Sequence, residues 1–181
     1  MSEPTFADHF SGHASAYAAF RPRYPSALFE WLTSVASGTE LAWDVGTGNG
    51  QVAHGLVTRF ARVVATDPSS AQIDQAAPHP RIKYAVTTYA SGLAHASAQL
   101  VAVGQALHWF DLDPFFAEAR RVLQPRGVVA AGHPLSALFR CAEMLTCWRS
   151  SRDWRSAGDL CACAKCSGHW CCARARSRDA H

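Results

Sequence analysis

The chain has 181 residues, a formal net charge of +3, and 49% hydrophobic against 17% charged residues. That length suits one domain and leaves no room for a second full core. Much of the positive excess comes from arginines at or beyond residue 140, so the first two-thirds is nearly neutral and offers no basic face for specific nucleic-acid binding.

No run approaches the roughly 18 apolar residues of a membrane span. The opening MSEPTFADHFSG has neither a charged start followed by an apolar run nor a cleavage-like site, so a soluble, cytoplasmic protein with no membrane partner is expected. All seven cysteines lie at or beyond Cys141, which divides the chain into two compositions.

In chain order, Pro25 to Ser34 (PSALFEWLTS) predicts a short amphipathic helix with Leu28, Phe29, Trp31 and Leu32 at helical spacings. LAWDV (41–45) is a short apolar run closed by glycines, a buried strand. Gln51 to Phe60 returns to helical spacing through Val52, Leu56 and Phe60. RVVATD (62–67) predicts a second strand, Ser69 to Ala77 a helix with a serine near its cap, and RIKYAV (81–86) a third strand. QLVAVGQAL (99–107) contains a fourth strand ending near Gly104. Pro114 to Val122 is helical, with its proline where a first turn tolerates one, and GVVAAG (127–132) is a fifth strand. Strands alternating with helices at these intervals predict a Rossmann-like, doubly wound, mostly parallel α/β sheet that binds ligands at the carboxyl ends of its strands.

Asp44 and Asp67 fall at two of those strand ends. The segment WDVGTGNGQ (43–51) has the glycines of a strand-to-helix turn, and such turns often cradle phosphate on free amides. The acid two residues ahead of the first glycine opposes that use, because two like charges at about 4 Å repel by roughly 4 kcal/mol at an effective dielectric near 20. A dinucleotide fingerprint also places its third glycine one residue later than Gly50. A ligand with positive charge is expected instead. Asp67, 17 residues after Gly50, can accept two hydrogen bonds from a ribose diol; the plainer alternative is an aspartate that caps the Asp-Pro turn.

One acid for a cationic end and one for a ribose describe S-adenosyl-L-methionine. WDVGTGNG, ATDPS and RVLQPRG resemble the cofactor loop, ribose acid and late loop of the class I S-adenosylmethionine-dependent methyltransferases. More narrowly, FRPRYP (20–25), WDVGTGNGQVA, QALHWFDLD and EARRVLQP resemble the branch of small-molecule enzymes related to trans-aconitate methyltransferase, from about Phe6 to Gly132. The resemblance implies that Asp44, Gly46, Thr47, Gly48 and Gly50 hold the methionine end and Asp67 the ribose. It implies that Gln105, Leu107, His108 and Trp109 face the methyl end and the substrate, and that Arg21 and Tyr24 belong to an N-terminal cap over the site. It implies a small-molecule acceptor. An ionised carboxylate would need no general base, whereas a hydroxyl or amine would call on His108, the one nearby side chain that titrates near neutrality. His108 and Trp109 packing under the sheet edge, and a solvated Arg21, are the structural alternatives.

Three positions depart from the family pattern. VTTYASGL offers Tyr89 and Ala90 where an alanine and an acid that contacts the adenine amino group are usual. Near Gln99 the acid that opens the fourth strand is replaced. Arg126-Gly127 stands for a double glycine, so a turn that prefers glycine must carry a side chain.

From His133 to His181 there is no valine, isoleucine, tyrosine, asparagine or glutamine, and Thr146 is the sole β-branched residue. This composition predicts no strand and a low-order tail (133–181), so the sheet of the 1–132 domain should stop after its fifth strand with an unprotected edge. The mixture of Arg, Ala, Cys, Ser and Trp is what a shifted reading frame of a GC-rich gene would yield. Cys161, Cys163, Cys166, His169, Cys171 and Cys172 supply ligand types for zinc, but only one Cys-x-x-Cys occurs and no metal site is expected. Without the elements that should follow Gly132, the alternative to an active enzyme is an inactive remnant that at most binds the cofactor.

Overall fold

A chain that places apolar residues at every position of a short run must bury both faces of the strand it forms, and LAWDV does so. A computed structural model describes residues 24–132 and 170–174. In it β1, Leu41–Val45, is buried throughout at the centre of a six-stranded sheet. Around it stand β2 (Arg62–Asp67), β3 (Ile82–Val86), β4 (Ala98–Gly104), β5 (Leu123–Gly132) and β6 (Trp170–Arg174), in the order β3-β2-β1-β4-β5-β6. The first five strands are parallel, the doubly wound α/β class expected from the alternation of elements.

The period-2 alternation of strand side chains divides the core. Ala42, Val63, Ala65, Leu100, Ala102 and Val128 face α1 (Ser26–Val35) and α2 (Gln51–Leu56), where Leu28, Phe29, Leu32, Leu56 and Phe60 cover them. Leu41, Trp43, Val45, Val64, Val101, Val103 and Val129 face the other way, under Phe115, Phe116, Ala119 and Val122 of α4 (Leu112–Val122). α3 (Ser70–Ile73) buries nothing.

Two helices are shorter than the spacing predicts. α2 ends at Leu56, and the chain reaches the buried Phe60 through i→i+3 bonds, Thr58 N–H to the Gly55 carbonyl and Arg59 N–H to that of Leu56. α3 is a single turn because, with no buried residue, it removes little apolar surface from water to offset the cost of helix nucleation.

The departures at Gln99 and Arg126 acquire physical content. Gln99 is buried and its Oε1 accepts the Leu41 N–H at 2.8 Å, satisfying the first amide of β1 with a neutral group. Arg126 takes φ +66°, the left-handed conformation that costs a side-chain-bearing residue about 1–2 kcal/mol, within a register shift between β4 and β5.

The tail composition predicts no strand after β5, yet Trp170–Arg174 pairs antiparallel with it, from Val128↔Arg174 to Gly132↔Trp170. Ladder bonds use the backbone N–H and C=O that every non-proline residue carries, so a segment without β-branched residues can still cover an edge. The rest of the tail lies outside the described residues, as do the segment's expected low order and most of its cysteines. Among the described residues no three His, Cys, Asp or Glu side chains are grouped to hold a metal, and no helix is long and apolar enough to cross a membrane.

Candidate functional site

The carboxyl ends of β1, β2 and β4 open into a cleft lined by Gly46, Gly48, Asp67, Pro68, Ser69, Gln72, Thr88, Tyr89, Gly104, Gln105, Ala106, Trp109 and Phe110. Its floor is the glycine loop. Gly46, Gly48 and Gly50 have φ of +66°, +57° and +88°, conformations that glycine adopts without strain. Four of the loop's amides are turned inward. The N–H groups of Gly46 and Thr47 both donate to the Thr66 carbonyl at 2.8 and 3.0 Å, and that of Gly50 to the Thr47 carbonyl at 3.0 Å. The Gly48 N–H donates to Asp67 Oδ2 at 2.8 Å. Four amides that a phosphate cradle would need are thereby committed to the protein itself.

Asp44 lies behind this loop rather than in the cleft lining. It shares the face of Ala42, sits in register between Ala65 and Ala102, and is fully buried. Thr47 Oγ1 donates to its Oδ2 at 2.5 Å, and Oδ1 has no hydrogen-bond partner among the described groups. Burial pushes its carboxyl up to about 7. The Thr47 hydroxyl opposes that rise, as does the Ala53 amide, which acts as a nearby dipole rather than through a well-formed hydrogen bond; the charge of Asp67 adds to it. A positive charge near the loop would favour the ionised form.

Asp67 does line the cleft. Its Oδ1 accepts the Ser69 N–H at 2.9 Å and its Oδ2 the Gly48 N–H, so it caps the Asp-Pro turn and ties two strand-end loops together. One carboxylate thus caps the turn and faces the cleft, so the turn-capping and ligand-facing readings are compatible.

The opposite wall comes from the segments after β3 and β4. Gln105 lines the cleft at φ +59°, an uncommon conformation for a non-glycine residue, with its N–H bonded to the Gly132 carbonyl at 3.0 Å. Trp109, half exposed on the 3₁₀ turn Leu107–Trp109, forms part of the lining. His108 is exposed and outside the lining, its ring 4.8 Å from that of Trp109. Tyr24 is half-buried edge-on to Phe29, and its hydroxyl would come within 3.1 Å of a Cβ at Gly104, which sets it beside the end of β4. Arg21 lies outside the described residues.

Sequence reasoning missed several members of the lining: Ser69, Gln72, Thr88, Tyr89, Ala106 and Phe110. Tyr89 carried a signal, since it stands at a departure from the family pattern. Its ring packs edge-on to Phe110 at 5.6 Å, and its hydroxyl oxygen accepts the Asp111 N–H at 2.7 Å.

This strand order and strand-end cleft define a class I methyltransferase fold. Residues 43–131 match the family model described as a methyltransferase domain, and this part of the chain belongs to that family. A candidate methyltransferase of Dictyostelium discoideum is 33% identical over 124 residues, 67% of this chain and 47% of that protein. An uncharacterized methyltransferase of Mycobacterium tuberculosis is 35% identical over 120 residues, 65% of this chain and 49% of that protein. Among solved structures, a candidate type II methyltransferase from Anaeromyxobacter dehalogenans superposes with a TM-score of 0.62 at 47% identity, covering 70% of this chain and 55% of that one. The chain spans about half the length of the curated relatives it matches.

Proposed function

We propose that the cleft binds S-adenosyl-L-methionine and that the protein transfers its methyl group to a small molecule, with a carboxylate oxygen as the favoured acceptor. The observation that carries this reading is the loop: its Gly46, Thr47, Gly48 and Gly50 amides serve Thr66, Asp67 and Thr47 rather than an anion, while the Asp67 carboxylate faces the cleft beside it. Such a floor suits a nucleoside with a diol and a cationic end, and the Tyr89 and Phe110 rings suit a flat base.

In this reading Asp67 accepts the ribose hydroxyls, and Gly46, Thr47, Gly48 and Gly50 shape the floor under the methionine end. Asp44 acts from behind the loop, where its charge favours a cation without touching it. Gln105 closes the cofactor side. When bound, the cofactor supplies a methyl group on a sulfonium, an activated leaving group. The protein's contribution is then alignment, which falls to Trp109, Tyr24 and Arg21 at the acceptor side. His108 would take a proton only from a hydroxyl or amine acceptor; a carboxylate needs none. The narrower resemblance carried by FRPRYP and QALHWFDLD supports a small carboxylic acid.

Incubation of the full chain with cofactor labelled in its methyl group and a panel of small carboxylic acids, alcohols and amines tests this. Methyl ester formation is the expected result. Transfer to alcohols or amines alone would overturn the carboxylate assignment and bring His108 forward. Binding with no transfer to any acceptor would favour the inactive remnant.

A further inference from the structure

The motif EARRVLQP enters none of the roles above, yet its Glu118 and Arg121 sit at the centre of the densest side-chain network among the described residues. The segment between β3 and β4, residues 87–97, has no helix or strand, and it carries Thr88 and Tyr89 of the cleft wall. A loop of that length would keep many conformations unless something held it. Glu118, on α4, does so. Its Oε1 accepts both the Ser91 hydroxyl at 2.6 Å and the Ser91 N–H at 3.2 Å. Arg121, one turn on, donates to Glu118 from Nε at 2.6 Å and from Nη2 at 2.7 Å, and Nη2 also reaches the Leu93 carbonyl at 2.8 Å. The Ser91 hydroxyl in turn accepts the Leu93 N–H at 3.1 Å.

The same helix grips the loop at both ends. The Ala96 and Ser97 amides donate to the carbonyls of Arg121 and Val122, and the Asp111 N–H at the helix start donates to the Tyr89 hydroxyl. Ser91 is buried and the Glu118 side chain is only 17% exposed, so these charge-assisted bonds are partly shielded from water.

We propose that Glu118 is a positioning residue: by clamping Ser91 directly and Leu93 through Arg121, it fixes the 87–97 loop so that Tyr89 presents its ring as the wall against the cofactor's base. This rests on the cofactor reading above. The Arg121 bonds, against the effect of burial, and then those from Ser91 hold the Glu118 carboxyl down at about 2, so the clamp stays charged throughout the neutral range.

Calorimetric titration of the full chain with S-adenosylhomocysteine tests the proposal in a double-mutant cycle. Glu118→Gln should weaken binding about tenfold, and Ser91→Ala, which keeps the Glu118–Arg121 pair, about threefold. In a Tyr89→Ala background, where the wall is already gone, Glu118→Gln should add less than about twofold. Equal weakening in both backgrounds would mark a general structural role and overturn the proposal, as would unchanged affinity in Glu118→Gln. If Glu118→Gln does not fold, the cycle of Ser91→Ala with Tyr89→Ala decides by the same criterion. A folded parent chain that does not bind the ligand at all would remove the cofactor reading, and this inference with it; binding by the parent with additive penalties removes only the clamp.

Discussion

The two halves of the cleft are built differently. At the ends of β1 and β2 the chain is held by backbone amides, positive-φ glycines and two acids, all within residues 44–69. In the loop that follows β3 the wall is held largely by side chains from α4, with partners up to 28 residues apart in sequence. Parts that satisfy one another locally leave a motif, whereas parts held across the fold leave only scattered residues. The first half should accordingly be intolerant of any change in shape, and the second sensitive to the loss of particular side chains.

The largest expected contrast is in pH dependence, because each half holds one buried or half-buried carboxyl shifted in the opposite direction. Asp44 is raised from 3.8 to about 7, so the folded state holds its proton more tightly than the unfolded chain does. Its contribution to stability is full below about pH 4 and is lost as pH rises to about 7, by at most about 4 kcal/mol. Glu118, lowered from 4.5 to about 2, behaves oppositely: its contribution is present above 4.5 and lost towards pH 2. Above about pH 4.5, where the Glu118 contribution is complete, the fall in stability with rising pH should belong to Asp44. Urea unfolding from pH 4.5 to 8 should show it in the parent chain and lack it in Asp44→Asn.

A matched pair of glycines, one in each half, differs in its surroundings. Gly46 and Gly92 both have φ +66°, but a Cβ on Gly46 would stand 2.5 Å from Ala106 Cβ, whereas one on Gly92 would meet nothing within 4 Å. Gly46→Ala carries the conformational cost and a collision with the far wall, about 3 kcal/mol together. Gly92→Ala carries the first alone, about 1 kcal/mol. Denaturant midpoints at one pH measure both, and equal losses would contradict the packing described for the loop. The smallest effect should be a gain: Arg126→Gly relieves a positive φ at an exposed irregularity of β5 and should add somewhat less than about 1 kcal/mol, read as a higher midpoint without a change in slope.

The same division decides what the sequence revealed. LAWDV and RVVATD were legible to the residue, since an apolar run closed by a glycine or Asp-Pro turn leaves no other boundary. Asp44 and Asp67 were legible as a pair, but not their separation into one acid behind the loop and one in the cleft. That depends on Asp44 sharing a face with Ala42, under α2. Helix ends were less legible: α3 shrinks to one turn because none of its residues is buried, a fact of tertiary structure that its spacing does not carry. Tyr89 was visible as a departure and invisible as a wall, because its position is set by Asp111 and by the loop that Glu118 holds. β6 escaped because β-propensity describes side chains, while the edge of β5 is covered by backbone.

On the reading proposed above, the glycine loop and Asp67 form a nucleoside site whose floor amides are committed to the protein rather than to a phosphate. Calorimetric titration of the full chain with S-adenosylhomocysteine, alongside Asp67→Ala and with NAD as the comparison ligand, tests it most directly. Saturable one-to-one binding of S-adenosylhomocysteine, weakened at least about hundredfold by Asp67→Ala, the size of two lost charge-assisted hydrogen bonds, with no heat from NAD, is the predicted result. Binding of NAD in preference, or affinity for S-adenosylhomocysteine that Asp67→Ala leaves intact, would contradict it.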